Sequence, residues 1–218
     1  MTAAATGVPL LARGYGWAVV VKPAGLRSVP GRAEDAADSV RTRLQRIWTW
    51  SAGDLTPHRL DIETSGLMVV AMTKRVYRSI AKQFEARKIG KAYEAVLDGE
   101  VEGDSGAIDL PLRVDWPNRP RQMVCPDEGR PARTLWRVVD RTAGRTRVEF
   151  RPETGRTHQL RVHAATPREA GGLGCPIAGD TLYGDPGSAP RMCLHATRLS
   201  FFDPNLGTPM RFRSPAPF

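Results

Sequence analysis

Thiol, metal and nucleotide chemistry find little to work with in this sequence. Its three cysteines (Cys125, Cys175 and Cys193) lie far apart, with no CxxC among them. That excludes a disulfide framework or a zinc ribbon and fits free thiols in a reducing compartment. There are four histidines, and His158 and His163 are five apart, which does not place them on one helical face. No metal site is therefore expected. The phosphate loop GxxxxGKS/T, the GxSxG nucleophile elbow and HExxH are all absent, which removes the usual NTPases, α/β-hydrolases and zinc peptidases. "GGLGCP" at 171–176 lacks the third glycine and the preceding strand of a dinucleotide fingerprint. No cofactor is expected.

Long apolar runs are missing too. None approaches the roughly 20 residues needed to cross a bilayer. The opening "MTAAATGVPLLARG" has no basic stretch leading into a hydrophobic segment. A soluble, cytoplasmic protein without a membrane partner is expected.

Acid is in deficit. Lys and Arg number 32 against 23 Asp and Glu, a net charge of +9 and a pI near 10.1. Such a balance suits a polyanion, above all nucleic acid, whose phosphates it can neutralise. Only five of the cations are lysine, so biased codon usage is a second reading of the arginine excess. The 218 residues, 41% hydrophobic, suffice for an ordinary folded core.

Local pattern gives the elements. Residues 1–13 read as a loose arm, and 14–218 as one domain without a linker. Trp17–Val21 reads as a strand running into a Pro/Gly loop. "DSVRTRLQRIW" spaces Val40, Leu44 and Ile47 for a helix capped by Asp38 or Ser39, and Leu67–Met72 reads as a strand. "TKRVYRSIAKQFEARK" is the clearest helix, with Thr73 as cap and Val76, Ile80 and Phe84 on one face. Its other face carries Lys74, Arg75, Arg78 and Lys82. "KAYEAVLDGEV", "ARTLWRVVD" and "RTRVEFR" alternate as strands, the last two around a turn at Ala143-Gly144. A helix is expected to begin near Thr157, and the last forty residues read as short strands broken by Pro and Gly. No regular βαβ rhythm appears, so the fold class is α+β with a mixed, largely antiparallel sheet.

Two stretches could carry chemistry. In "HRLDIETSGL" one carboxylate, Asp61, sits between Leu60 and Ile62; in extended chain Arg59, Asp61 and Glu63 point the other way from those two. Spacing alone favours a turn residue or helix cap over a functional acid. "RPETGRTHQLRVH" reads either as a solvated basic face or as a floor for phosphates with one arginine aimed inward.

Six stretches together resemble the RluA family of pseudouridine synthases, from about Trp17 to the C-terminus. "VVVKPAGLRSVPG" looks like its entry strand and loop, "HRLDIETSGL" like the signature around its catalytic aspartate, and "RKIGKAYEAVLDG" like the segment bearing its active-site tyrosine. "PETGRTHQLRVH", "PIAGDTLYG" and "CLHATRLSF" resemble three further motifs in the expected order. "DLPLRVDWPNRPRQMVC" is similar to a segment of the subgroup that modifies both large-subunit ribosomal RNA and transfer RNA.

The resemblance implies a pseudouridine synthase catalytic fold, with the sheet flanked by helices and loops. It also implies an isomerase acting as a monomer on RNA stem-loops. Asp61 takes the catalytic role. Tyr93 stacks on the target base, Arg161 supplies the counter-charge a desolvated carboxylate needs, and Arg59 braces the space the flipped uridine leaves. His58, Gln159 and Leu194 are weaker substrate-binding candidates. No S4-like RNA-binding module fits before Trp17. A catalytically silent RNA-binding protein on the same fold is the alternative, against which Asp61, Tyr93 and Arg161 together argue. One departure stands out: the connection "AATPREAGG" (164–172) is longer than usual, and Cys175 stands where a histidine is common.

Overall fold

The computed structural model describes residues 7–31, 37–48 and 56–218, and they divide into two units. The first comprises residues up to Lys91 together with His195–Pro217; the second comprises Ala92–Leu194 with Phe218. The expectation of one domain over 14–218 thus meets a chain that leaves its first unit and returns to it.

In the first unit, β1 (Leu10–Gly14) pairs antiparallel with β2 (Trp17–Lys22) through a turn at Tyr15-Gly16. The loose arm expected to reach residue 13 is therefore partly a strand, and its first six residues lie outside the described ones. β2 pairs antiparallel with β3 (Ser65–Ala71), from Trp17 opposite Ala71 to Lys22 opposite Gly66. β3 in turn runs parallel to β10 (Leu194–Phe202) at Ser65 and Gly66, and β11 (Pro209–Arg213) closes antiparallel on β10. The parallel pair makes this part of the sheet mixed. Every residue of β3 is buried, as expected of a strand covered on both faces.

Two helices complete the unit. α1 (Val40–Ile47) starts at Ser39, whose side chain caps Thr42 while Thr42 caps it in return. α2 (Lys74–Glu85) starts at Thr73 as its sequence predicts, and seats Val76 and Ile80 against Trp17, Val19, Leu67, Val69, Leu199 and Phe201. Gly66 permits the close β3–β10 approach: a Cβ there would come within 2.5 Å of the Ala196 backbone N and O.

The second unit is built on an antiparallel run of β4 (Gly90–Asp98), β9 (Arg145–Pro152), β8 (Arg133–Thr142) and β5 (Ser105–Asp109). The β8–β9 turn falls at Ala143-Gly144, as read from sequence. A small hairpin, β6 (Leu112–Val114) with β7 (Gln122–Val124), and the helix α3 (Gln159–Ala165) complete it. Its core gathers Ala95, Leu97, Val148, Phe150, Leu160, Ile177 and Leu194. The C-terminal forty residues differ from the short strands expected: β10 is one nine-residue strand, because "LHATRLSFF" carries no Pro or Gly to break it. The fold class is α+β with a mixed sheet, and no helix among the described residues is long and apolar enough to cross a membrane.

Candidate active site

Asp61 lies in the loop leading into β3, half-buried, and both of its neighbours are pinned. On one side, the buried Ser28 hydroxyl donates to the Leu60 carbonyl (2.7 Å) and accepts from the Leu60 N–H (3.0 Å). On the other, the Ile62 carbonyl accepts from the Lys22 ammonium (2.8 Å) and from the Gly25 N–H (2.9 Å). Lys22 is fully buried, and its Nζ also donates to the carbonyls of Leu26 and Pro23 at 2.7 and 2.9 Å. Where the loop enters the sheet, Ser65 bonds the Nδ1 of buried His195 (2.7 Å), whose Nε2 meets Ser214 (3.0 Å).

The Asp61 carboxylate itself takes no hydrogen bond or ion pair from the described residues of its unit. It is not an Asx turn, which would need a backbone N–H on that carboxylate, and it caps no helix, since the next element is β3. The turn-residue reading favoured by spacing therefore has nothing to rest on.

His58 secures the same loop. Its Nε2 accepts from the Val69 N–H (3.0 Å), and its ring stacks on Phe84 of α2 with centroids 4.7 Å apart. Burial, with a smaller contribution from the Lys91 charge, pushes its pKa down to about 3. An accepting Nε2 fixes the neutral tautomer with hydrogen on Nδ1. Arg59, by contrast, is exposed at the surface.

The second unit holds the other candidates. Arg161, on α3, donates from Nε and Nη2 to the two carboxylate oxygens of Asp180 at 2.7 and 2.6 Å, and both side chains are almost sealed from solvent. Desolvation alone would raise the Asp180 pKa. The Arg161 bonds and charge, with the N–H groups of Leu182 and Tyr183, outweigh it and hold the carboxyl below its ordinary range. Asp180 was given no role from sequence, because in "PIAGDTLYG" it looks like any turn aspartate.

Tyr183 completes this cluster. Its ring lies 5.2 Å from the Arg161 guanidinium and 5.1 Å from that of Arg121. Its hydroxyl accepts from the Gln122 N–H (2.6 Å) and shares a second hydrogen bond with His158 Nδ1 (2.8 Å). The β6–β7 hairpin is thereby tied to the N-terminus of α3, where His158 adopts the left-handed conformation (φ 53°).

Tyr93 is half-buried on β4 opposite Phe150 and packs against the core that contains Leu194. Gln159 has spent its amide internally: Oε1 accepts from the Arg156 N–H and Thr154 hydroxyl, and Nε2 donates to the Arg133 carbonyl and Thr134 hydroxyl. With both donors and both lone pairs used, it shapes the loop before α3 and has no bond left for a substrate.

The long 164–172 connection folds back on α3. Leu173, Gly174 and Cys175 donate their N–H groups to the carbonyls of His163, Thr166 and Ala164. Cys175 is buried against Gly99, and burial raises its thiol pKa, so it packs as a small apolar residue. Among the described residues no His, Cys, Asp and Glu cluster could hold a metal ion.

Known proteins resemble this chain over most of its length. A family model described as RNA pseudouridylate synthase matches residues 16–166. The chain is 47% identical over 204 residues to the dual-specificity RNA pseudouridine synthase RluA of Escherichia coli (strain K12), covering 92% of this chain and 89% of that one. Its counterpart in Yersinia pestis is 46% identical, with 92% and 95% covered. Among solved structures, human RNA Pseudouridylate Synthase Domain Containing 1 matches with a TM-score of 0.78 at 27% identity, covering 98% of this chain and 85% of that one.

Proposed function

The chain belongs to the RluA family of RNA pseudouridylate synthases, isomerases that act on RNA, and from that premise we propose that Asp61 is its catalytic carboxylate. The observation that carries this is an acid without a partner in its own unit, in a strongly basic chain, on a loop pinned at both neighbours. Fixing residues 60 and 62 leaves residue 61 little freedom except at its side chain. That is how a fold aims one group at a substrate.

Isomerisation of uridine breaks the bond between N1 and the ribose, turns the base in place and rejoins it through C5. The proton lost from C5 is balanced by one gained at N1, so no redox partner or group donor is consumed. Asp61 acts on the nucleotide, and Tyr93 offers a half-buried aromatic face for the base. The family resemblance assigns Arg161 the role of counter-charge to the catalytic acid, and Asp180 fixes the plane of its guanidinium. Exposed Arg59 enters the space left when the uridine flips from its stack, a step costing a few kcal/mol. Lys22, Ser28, His58 and Gln159 are positioning residues.

The substrates we infer are uridines in short stem-loops of large-subunit ribosomal RNA and of the transfer-RNA anticodon arm, which the dual specificity of the two bacterial relatives supports. The test is Asp61→Asn on a transcribed anticodon stem-loop, with pseudouridine mapped chemically. Product should vanish while RNA affinity stays nearly unchanged, since phosphate contacts dominate affinity. Substantial turnover by the variant would remove Asp61 from the mechanism.

A further inference from the structure

The outer face of α2 carries a row of cations. Lys74, Arg78 and Lys82 recur every four residues and are exposed, with Arg75 beside them. Like charges at that spacing repel one another. The N-terminal end of the row also opposes the helix dipole: two cations and no acid occupy the first turn, although Lys82 in the last turn is favourably placed. Among the described residues, none of Lys74, Arg78 and Lys82 has an acidic partner. A row of like charges without acidic partners gains its rationale from an external anion.

The surroundings specify which kind. Arg75, Arg78, Ser79 and Lys82 line an open groove of about 370 Å³. Arg75 donates to the Asn205 side-chain oxygen, and the Asn205 amide donates to the Tyr15 carbonyl at 2.8 Å, which brings the β1–β2 turn alongside the helix. Tyr15 leaves 81% of its surface exposed there. A basic groove bordered by an uncovered aromatic face suits a sugar-phosphate chain with unstacked bases better than a folded acidic protein. The other edge of α2 reaches the catalytic loop, since Phe84 stacks on His58, three residues before Asp61.

We propose that the α2 face formed by Lys74, Arg75, Arg78 and Lys82, with Tyr15 at its border, binds the backbone of the substrate RNA outside the stem-loop that carries the target uridine. This rests on the RNA-modifying reading above and adds to it a second point of attachment. The stem-loop alone remains a substrate, and a longer RNA gains affinity from this face.

The test uses Arg78→Gln/Lys82→Gln and, separately, Tyr15→Ala in the full chain, none of which removes a hydrogen bond made by the altered side chain among the described residues. Each is assayed on an isolated anticodon stem-loop and on the complete transfer-RNA transcript containing it. Thermal unfolding should match wild type. For the double variant, KM on the complete transcript should rise roughly tenfold at low salt, with kcat and the stem-loop KM unchanged. The salt dependence of its affinity for that transcript should flatten by about two units of log–log slope, one per lost phosphate contact. Tyr15→Ala should weaken binding of the complete transcript without altering the slope. Equal KM and slope for wild type and double variant on the complete transcript would overturn the proposal. So would an equal loss on the isolated stem-loop, which would make the face part of the stem-loop site. Should wild type form no pseudouridine in either RNA, the function reading fails, and the binding slopes still decide the fate of this surface.

Discussion

Arg161 and Asp180 are joined by two parallel charge-assisted hydrogen bonds, with side chains 3% and 0% exposed. Arg161→Met would leave the Asp180 carboxylate buried without its cation, which costs roughly 3–5 kcal/mol. Adding Asp180→Asn should restore part of the stability and none of the activity. Urea unfolding of the four proteins measures the coupling, and strictly additive effects would mean that the pair contributes no interaction energy. The sign with pH follows from the lowered carboxyl pKa. Its contribution is fully present above the ordinary carboxylate range and is lost as pH falls through the folded value, so Asp180→Asn should flatten the acid limb below about pH 4.

Ser28→Ala removes both bonds that hold Leu60 and strands two buried backbone groups. A loss of roughly 1–3 kcal/mol in stability is expected. The kinetic signature separates positioning from mere stability: kcat should fall with KM nearly unchanged, because Asp61 loses its aim and the RNA keeps its phosphate contacts. Ser28→Thr, which keeps the hydroxyl, should recover turnover. A variant whose KM alone changed would deny Ser28 the bracing role.

His58 should remain neutral throughout the physiological range, its pKa being about 3. In an NMR titration its ring signals should not move between about pH 8 and pH 5, where an ordinary histidine titrates. Since the folded value lies below the unfolded one, His58 stabilises the protein above about pH 6.5 and does so progressively less as acid is added. His58→Gln should remove that part of the slope. A midpoint near the ordinary value would show that the bond to Val69 is absent in solution.

Excess chelator should leave turnover unchanged, since no cluster of His, Cys, Asp and Glu among the described residues could hold a metal ion, and omission of any nucleotide should too, because the chemistry proposed for Asp61 conserves atoms and electrons. Activity lost with chelator and restored by one particular metal, on RNA shown to be folded, would contradict this.

What was legible in the sequence followed physical range. α2 announced itself because Val76, Ile80 and Phe84 repeat at the helical period and Thr73 can cap, all within a dozen residues. β8 and β9 were equally plain, through alternation around a two-residue turn. β5, β6 and β7 were not, since three to five residues give too short a period to read. At the site, Asp61 stood out only through resemblance to a family, as its spacing suggested a turn. Lys22 closes a strand, where a lysine usually points to solvent, and its burial against Ile62 depends on a contact 40 positions away. Asp180 was hidden for the same reason, its cation lying 19 residues earlier on a different element.

The first unit is assembled from both ends of the described chain, and this dictates a timetable for synthesis. β3 waits for its parallel neighbour, and Trp17 for Phe201, Phe212 and the carboxylate of Asp203, until residues 195–217 have left the ribosome. The second unit is nearly continuous in sequence and can condense while the first is still incomplete. The nascent chain therefore displays an apolar, half-finished sheet until β10 and β11 arrive, and the loop of Asp61 leads until then into a strand still without its parallel neighbour.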